Sequence, residues 1–239
     1  MIEKLTDADV LSGVLSPLLP LLYADYGYST SDINGVYVQR ENDVIQSFIS
    51  VKNGCATVCV EEDDFSREEM EIFLSFLRVG QVLSDVSLGD GYRSIPFLGI
   101  SPKPCDIGDL LATSPAWKMS QYKSLYRLLA EENDSFDSWF ADFSRRVNDG
   151  FACGVATTDY CSCAVAPCIY GDSGIIAGVY TEPQYRGKGL AQNCVKGLLG
   201  ILNAKGIKSV YLWCNEDKVK FYEKSGFRVI GSLYIREEM

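Results

Sequence analysis

Histidine is absent from all 239 residues. That removes the general base of Ser-His-Asp and Cys-His nucleophile systems, and every metal site built on an imidazole. Any base must be a carboxylate, Tyr, Lys, Cys or a chain of waters. Positive charge is scarce as well: 22 Lys and Arg stand against 32 Asp and Glu, a formal net charge of −10. Nucleic-acid binding draws most of its affinity from basic groups on phosphate, so no such partner is expected. An acidic chain suits a cationic amine better. Long apolar runs are missing too, since the longest early tract is broken by Pro17 and Pro20. It falls short of the roughly 20 residues that span a bilayer, and no membrane partner is expected. Met1 to Asp9 carries acids where a secretory leader has a basic start and an apolar stretch, so the expected compartment is the cytoplasm.

The nine cysteines are odd in number, in a chain too long to be a disulfide scaffold. Free thiols are expected. Cys153, Cys161, Cys163 and Cys168 lie close enough in sequence to raise the question of zinc. However, a C-x-C pair within an alternating strand puts both thiols on one face, where buried Cys acts as a small hydrophobe. No metal is expected.

What the chain does have is a loop, Gln184-Tyr185-Arg186-Gly187-Lys188-Gly189-Leu190-Ala191, between an apolar strand (175–181) and an amphipathic helix. A turn opening a helix offers several N–H groups without intrahelical acceptors, and the helix dipole adds partial positive charge. Gly187 and Gly189 allow close backbone approach, and Arg186 and Lys188 add full charges. The loop reads as a pyrophosphate cradle. A P-loop would need Ser or Thr after G-K, and a dinucleotide fingerprint would need glycine at Gln192; neither fits.

Downstream, Ser209 to Cys214 forms an apolar strand, Asn215 follows, and then comes Phe221-Tyr222-Glu223-Lys224-Ser225-Gly226-Phe227. Upstream stands Gly178-Val179-Tyr180-Thr181-Glu182-Pro183. Together, Q-x-x-G-x-G-x-A, strand–Asn and F-Y-x-K-x-G-F resemble the GNAT superfamily of acetyl-CoA-dependent N-acyltransferases over about residues 120–239. The resemblance implies a mixed α/β (α+β) fold, a mostly antiparallel sheet flanked by helices, with acetyl-CoA as co-substrate. It further implies that backbone groups of Arg186, Gly187, Lys188, Gly189, Leu190 and Ala191 hold the pyrophosphate. The pantetheine arm would lie between strands 175–181 and 209–214, on main-chain groups of Val179 and Thr181. The N–H of Val179 or Tyr180 would serve as oxyanion donor, and Asn215 would bond the arm. Tyr222 would face the sulfur. A phenol of pKa about 10 can protonate a leaving thiolate of pKa about 8.5.

The base is less determined. Many family members carry Glu on the central strand, whereas residues 175–181 contain no carboxylate. Glu182 is the first candidate and Asp172 the second, with water-relayed deprotonation or uptake of the neutral amine also open. The acceptor is a small amine or a peptide amine. A different class of reading is a catalytically silent acyl-CoA-binding or regulatory module that keeps the cradle alone. Nothing in the sequence sets the oligomeric state.

Before the resemblance begins, residues 1–30 read as helical turns interrupted by prolines. Strands are expected at 35–40, 43–51 and 55–61, with Asn53-Gly54 as a type I′ hairpin turn. Ser66 and Glu69 form a capping box ahead of the stripe Met70, Phe73, Leu74, Leu77, and Gly80 ends that helix. A strand follows at 81–88. The order resembles a degenerate GNAT half without a phosphate loop. Residues 1–108 are accordingly expected to form a smaller α/β domain, structural or shaping the acceptor site, and 109–239 the acyltransferase domain. Residues 99–108, rich in Gly and Pro, read as the linker. Helices are expected over 121–132 and 135–148, strands over 151–158 and 161–170, the long helix over 189–204 and a last strand at 228–235. Gly197 and Gly200 each cost that helix about 1 kcal/mol relative to Ala, which close packing on the sheet would explain.

Overall fold

Asn53 and Gly54 make the turn that their chemistry favours. In the computed structural model, which describes residues 1–7, 10, 11, 14, 16–27, 34–129 and 135–237, their φ angles are 52° and 78°. Two left-handed residues in succession give the type I′ turn, whose twist matches that of the strands it joins.

The chain divides into two units. The first contains Met1–Phe97, Trp213–Glu216 and Val229–Met239. Its elements are β1 (Ile2–Lys4), α1 (Leu19–Gly27), β2 (Gly35–Glu41), β3 (Val44–Lys52), β4 (Cys55–Val60), α2 (Arg67–Phe76), β5 (Gln81–Ser84) and most of β6 (Arg93–Ile100). The second contains Leu98–Leu212 and Asp217–Arg228. It holds β7 (Leu111–Ala112), α3 (Met119–Leu129), α4 (Phe136–Asn148), β8 (Cys153–Ala156), β9 (Ser162–Tyr170), β10 (Ser173–Thr181), α5 (Leu190–Ala204), most of β11 (Ser209–Trp213) and most of α6 (Glu216–Glu223). The last strand, β12 (Arg228–Glu237), returns the chain to the first unit.

Within the first unit the strands run in the order β1-β2-β3-β4-β5-β12-β6. β1 to β4 pair antiparallel, and β12 is antiparallel to β5. β4 and β5 are parallel, from Cys55↔Gln81 to Val58↔Ser84, with α2 as their crossover. Ile49, Val58, Met70, Leu74 and Val82 fill the core between α2 and the strands. Where the parallel pairing stops, Asp85 takes over: its carboxylate accepts the Val60 N–H at 3.0 Å and its own N–H donates to the Val58 carbonyl.

The first unit corrects several sequence expectations. Residues 2–4 form a strand rather than a helical turn, and Pro20 sits in the first turn of α1, where a missing N–H costs nothing. Residues 8, 9, 12, 13, 15 and 28–30 of that expected helical stretch lie outside the described residues. Ser66 Oγ accepts the Glu69 N–H, but the capping box is half made. The Glu69 carboxylate turns instead to Gln39 Nε2 at 2.8 Å and to the N-terminal amine. Gly80 is not the helix terminator. Arg78 adopts the left-handed conformation at φ 53°, with Arg78 N–H to Ser75 and Val79 N–H to Leu74 completing a Schellman motif. The strand expected over 81–88 stops at Ser84, and residues 93–100, unassigned from sequence, form β6. The expected linker therefore starts inside a strand.

In the second unit the order is β11-β10-β9-β8-β7. β7 to β10 pair antiparallel, while β10 and β11 are parallel across α5. The second unit thus repeats the strand–helix–parallel strand step of the first. The aromatic spacing of α3 and α4 is realised as a cluster: Tyr122 meets Phe140 edge-on at 5.1 Å, and Trp139 stacks on Phe143 at 4.9 Å. α3 is described to Leu129; residues 130–132 lie outside the described residues. Gly197 and Gly200 are tightly packed, but not against the sheet. A Cβ on Gly200 would meet the Cys105 carbonyl, and one on Gly197 would meet Leu110. Asn203, three residues further along the same helix face, donates to the Pro102 carbonyl at 3.0 Å. Residues 102–110 therefore form a strap held along α5.

Candidate active site

The pairing of β10 with β9 is interrupted twice by an extra residue. Between Ile175↔Cys168 and Ala177↔Val165, β9 has one extra residue; between Ala177↔Val165 and Tyr180↔Cys163, β10 has one. The first irregularity falls at Ala166-Pro167, and proline has no N–H for a ladder. The second falls at Gly178-Val179. Gly178 has φ 68°, and a Cβ there would stand 2.7 Å from Leu129 Cδ2 and 2.9 Å from Val165 Cγ2. Conformation and space both require glycine.

The interruptions coincide with the end of the parallel pairing. β10 and β11 pair at Ser173↔Ser209, Gly174↔Val210 and Ile175↔Tyr211, and the register goes no further. Beyond Ile175 no further pairing joins the two strands, and among the described residues one edge of Ala177–Thr181 has no neighbouring strand on the β11 side. Main-chain donors and acceptors there can pair with an extended ligand, as an added strand would.

β10 delivers the chain directly to the glycine loop. A short 3-10 turn, Pro183–Tyr185, is closed by the Arg186 N–H on the Pro183 carbonyl. Gly187 (φ 78°) and Gly189 (φ 80°) then take left-handed conformations, with no atom within 4 Å of a Cβ built on either. The first α5 hydrogen bond runs from Asn193 N–H to the Gly189 carbonyl at 3.0 Å, so the amides of Leu190, Ala191 and Gln192 have no helical acceptor. Among the described residues, the N–H groups of Gly187, Lys188 and Gly189 have no hydrogen-bond acceptor either. Successive amides without acceptors ahead of a fifteen-residue helix are the donors an anion would need. The residues fit a pyrophosphate. Arg186 differs from its neighbours in that its amide closes the turn and its Nε donates to the Thr181 carbonyl at 3.0 Å. Its guanidinium lies 5.9 Å from the Tyr180 ring, and Lys188 Nζ lies 5.1 Å from the Tyr185 ring.

Ser162, fully buried on β9, holds the end of β10. Its hydroxyl donates to the Tyr180 carbonyl at 3.0 Å and lies 2.7 Å from Thr181 Oγ1. Neither Ser162 nor the Gly178 bulge was singled out from sequence. A glycine inside an apolar strand was the available signal.

Glu182 is half-buried where β10 ends. Its N–H donates to the Cys161 carbonyl at 2.9 Å, and its carboxylate accepts from Gln184 Nε2 at 2.8 Å. Asp172 lies at the opposite end of the strand, roughly 23 Å from Val179 at about 3.3 Å per residue. It is salt-bridged to Lys208 at 3.3 Å. It is too remote to serve as a base beside Val179. Tyr222, on α6, is half-buried with its ring edge-on to Phe221 at 4.9 Å and to Phe227 at 5.9 Å. Phe227 is buried, and its N–H returns to the Tyr222 carbonyl. Asn215 is exposed and directly precedes α6.

Two thiols near the end of β10 and the start of α5 are buried. Burial pushes Cys163 up to about 12 and Cys194 to about 11, which keeps both protonated. Beside the first turns of α5 a cavity of 440 Å³ is lined by Leu190, Asn193, Lys196, the strap at 105–110 and the Thr157-Thr158 turn.

Residues 112–227 match the profile of the family described as "Acetyltransferase (GNAT) family". A 55-residue stretch, 23% of this chain, is 42% identical to glucosamine 6-phosphate N-acetyltransferase of Trypanosoma brucei brucei and covers 37% of that enzyme. The chain thus spans only about a third of that relative's length. Among solved structures, a GCN5-related N-acetyltransferase from Sphaerobacter thermophilus superposes with a TM-score of 0.65 at 14% identity, over 99% of this chain and 95% of its own. A tandem GNAT protein from the clavulanic acid biosynthesis pathway gives 0.59 at 12%, over 99% and 98%. At such identities the likeness is one of fold.

Proposed function

Since the chain carries an acetyltransferase domain of the GNAT family over residues 112–227, we propose that it transfers an acetyl group from acetyl-CoA to a primary amine by direct attack. One observation carries the reading: the parallel pairing of β10 and β11 ends at Ile175, and twelve residues later a run of amides without acceptors begins at Gly187. An extended arm ending in a pyrophosphate has that form.

Acetyl-CoA supplies an activated acyl carbon for the amine nitrogen to attack. Amides of Gly187 to Ala191 hold the pyrophosphate, and the main chain of Val179 and Thr181 aligns the arm. The Val179 N–H, displaced from the β9 ladder by the bulge, meets the charge developing on the acyl oxygen. One such donor is worth about 3 kcal/mol of barrier. Tyr222 delivers its proton to the departing sulfur. Glu182, directly beyond β10, accepts the amine proton through water. Asn215 belongs to this set by family resemblance.

The acceptor class first in line is an amino-sugar phosphate, on the strength of the 42% identical stretch. The test is thiol release from acetyl-CoA across glucosamine 6-phosphate, free amino sugars, polyamines, amino acids and peptides, beside a thermal shift with acetyl-CoA. A shift together with amine-dependent thiol release supports the reading. A shift with no acceptor in the panel favours a silent acyl-CoA-binding module, and no shift at all sinks both.

A further inference from the structure

Ser162 is 0% exposed, yet its hydrogen bonds are directed at one peptide on the open edge of β10. Its main-chain N–H donates to Thr157 Oγ1 at 3.1 Å, and its carbonyl accepts the Thr157 N–H at 3.0 Å. Both groups therefore face away from β10. Thr181, the residue opposite, is thus in a non-hydrogen-bonded pair, and its own N–H and carbonyl point away from β9. One step on, the Glu182 N–H returns to the Cys161 carbonyl, which keeps the alternation.

Side chains stand close in such a pair. Ser162 Oγ lies 2.7 Å from Thr181 Oγ1, donates to the Tyr180 carbonyl at 3.0 Å and accepts the Cys194 thiol at 3.8 Å. A carbonyl can only accept, so the single Ser162 proton goes to Tyr180, and Thr181 donates to Ser162. One donor and two acceptor positions are then all in use. The hydroxyl joins β9, the end of β10 and the second turn of α5.

The consequence falls on the peptide between Tyr180 and Thr181. A trans peptide is planar, with its C=O and N–H pointing in opposite directions. Clamping the Tyr180 carbonyl to Ser162 therefore sends the Thr181 N–H toward the edge that faces away from β9. The ladder gives that peptide little support, because past the Gly178-Val179 bulge only Tyr180↔Cys163 and Thr181↔Ser162 pair. On the same edge the Thr181 carbonyl already accepts Arg186 Nε at 3.0 Å. What residue 181 offers a ligand is thus a donor, and a donor calls for a carbonyl on the ligand.

We propose that Ser162 is a positioning residue for the co-substrate, which aims the Thr181 N–H at an amide carbonyl of the pantetheine arm. The inference rests on the acetyltransferase reading and adds to it a residue that never touches the arm. Buried beneath β10, Ser162 acts through Tyr180 and Thr181.

The experiment is calorimetric titration of the full chain with acetyl-CoA and, separately, with ADP, which shares the pyrophosphate but has no arm. Both titrations are repeated for Ser162→Ala and Thr181→Val. We expect Ser162→Ala to lose acetyl-CoA affinity roughly five- to tenfold, as for one hydrogen bond, with ADP affinity within about twofold of wild type. Thr181→Val removes the donor to Ser162 and keeps the Thr181 N–H, so it should show the same selectivity with a smaller loss. It decides the matter if Ser162→Ala does not fold. Unchanged acetyl-CoA affinity in the variants would overturn the proposal and leave the acetyltransferase reading standing. An equal loss for both ligands would also overturn it, since the hydroxyl would then support the fold at large. Wild type that binds neither ligand would overturn the reading, and the proposal with it.

Discussion

The Asp85 carboxylate accepts the Val60 N–H at 3.0 Å through Oδ1 and at 3.3 Å through Oδ2, bridging the point where β4 and β5 part. Burial outweighs these bonds and raises its pKa to about 6. The folded chain therefore binds a proton that the unfolded chain, with a carboxyl near 3.9, has released. Stability from this group is fully present below about pH 4 and is lost as pH rises through 6. Two pKa units correspond to about 3 kcal/mol. Asp85→Asn, which keeps an acceptor for Val60, should raise the melting temperature at pH 7.5. It should also flatten the change in urea midpoint between pH 4 and 6. An unchanged pH profile in the variant would show that Asp85 is not the titrating group.

Gly189→Asp should abolish the thermal shift with acetyl-CoA while far-ultraviolet circular dichroism stays that of wild type. Its φ of 80° costs a non-glycine residue about 1–2 kcal/mol, and the carboxylate faces the unpaired amides that would otherwise hold phosphate. Gly187→Asp should behave alike. A full shift in both would remove the cradle from the binding site.

Gly178→Ala tests the bulge. Left-handed strain and the approach to Leu129 and Val165 should together cost about 2–4 kcal/mol and most of the turnover. Adding Leu129→Ala relieves the closer contact, so the double variant should regain part of the stability lost to crowding. Independent, additive losses would show that the crowding is not what glycine avoids.

Tyr222→Phe keeps the edge-on contacts to Phe221 and Phe227 and removes only the hydroxyl. Turnover should fall about a hundredfold, the lower end of general-acid effects. KM for acetyl-CoA should change little. Unchanged kcat under conditions where chemistry limits turnover would dismiss Tyr222 as the acid.

The legible parts of this fold were those fixed by local chemistry. Asn53-Gly54 can hardly be anything but a turn, and the spacing of Tyr122, Leu125 and Leu128 marks a helix face without reference to the rest of the chain. The Gly187-x-Gly189 loop was legible for the same reason, since unpaired amides at a helix start follow from backbone geometry. Non-local devices stayed hidden. Arg78 takes a left-handed conformation that Gly80 seemed to offer, because the helix runs out two residues earlier. The bulge at Gly178 depends on the register with β9, which no local pattern of β10 contains. Asp85 fell inside the strand expected over 81–88, and its bond to Val60 depends on where β4 and β5 part.

The strap at 102–110 changes what counts as a removable piece of this protein. Its backbone at Pro102 and Cys105 lies against Asn203 and Gly200, on the helix whose first residues form the cradle. A fragment trimmed to begin at residue 111 would strip one face of α5 and leave Gly197 and Gly200 as two vacant notches. The stretch rich in Gly and Pro is therefore a poor place to cut, and an excised second unit should begin no later than Leu98.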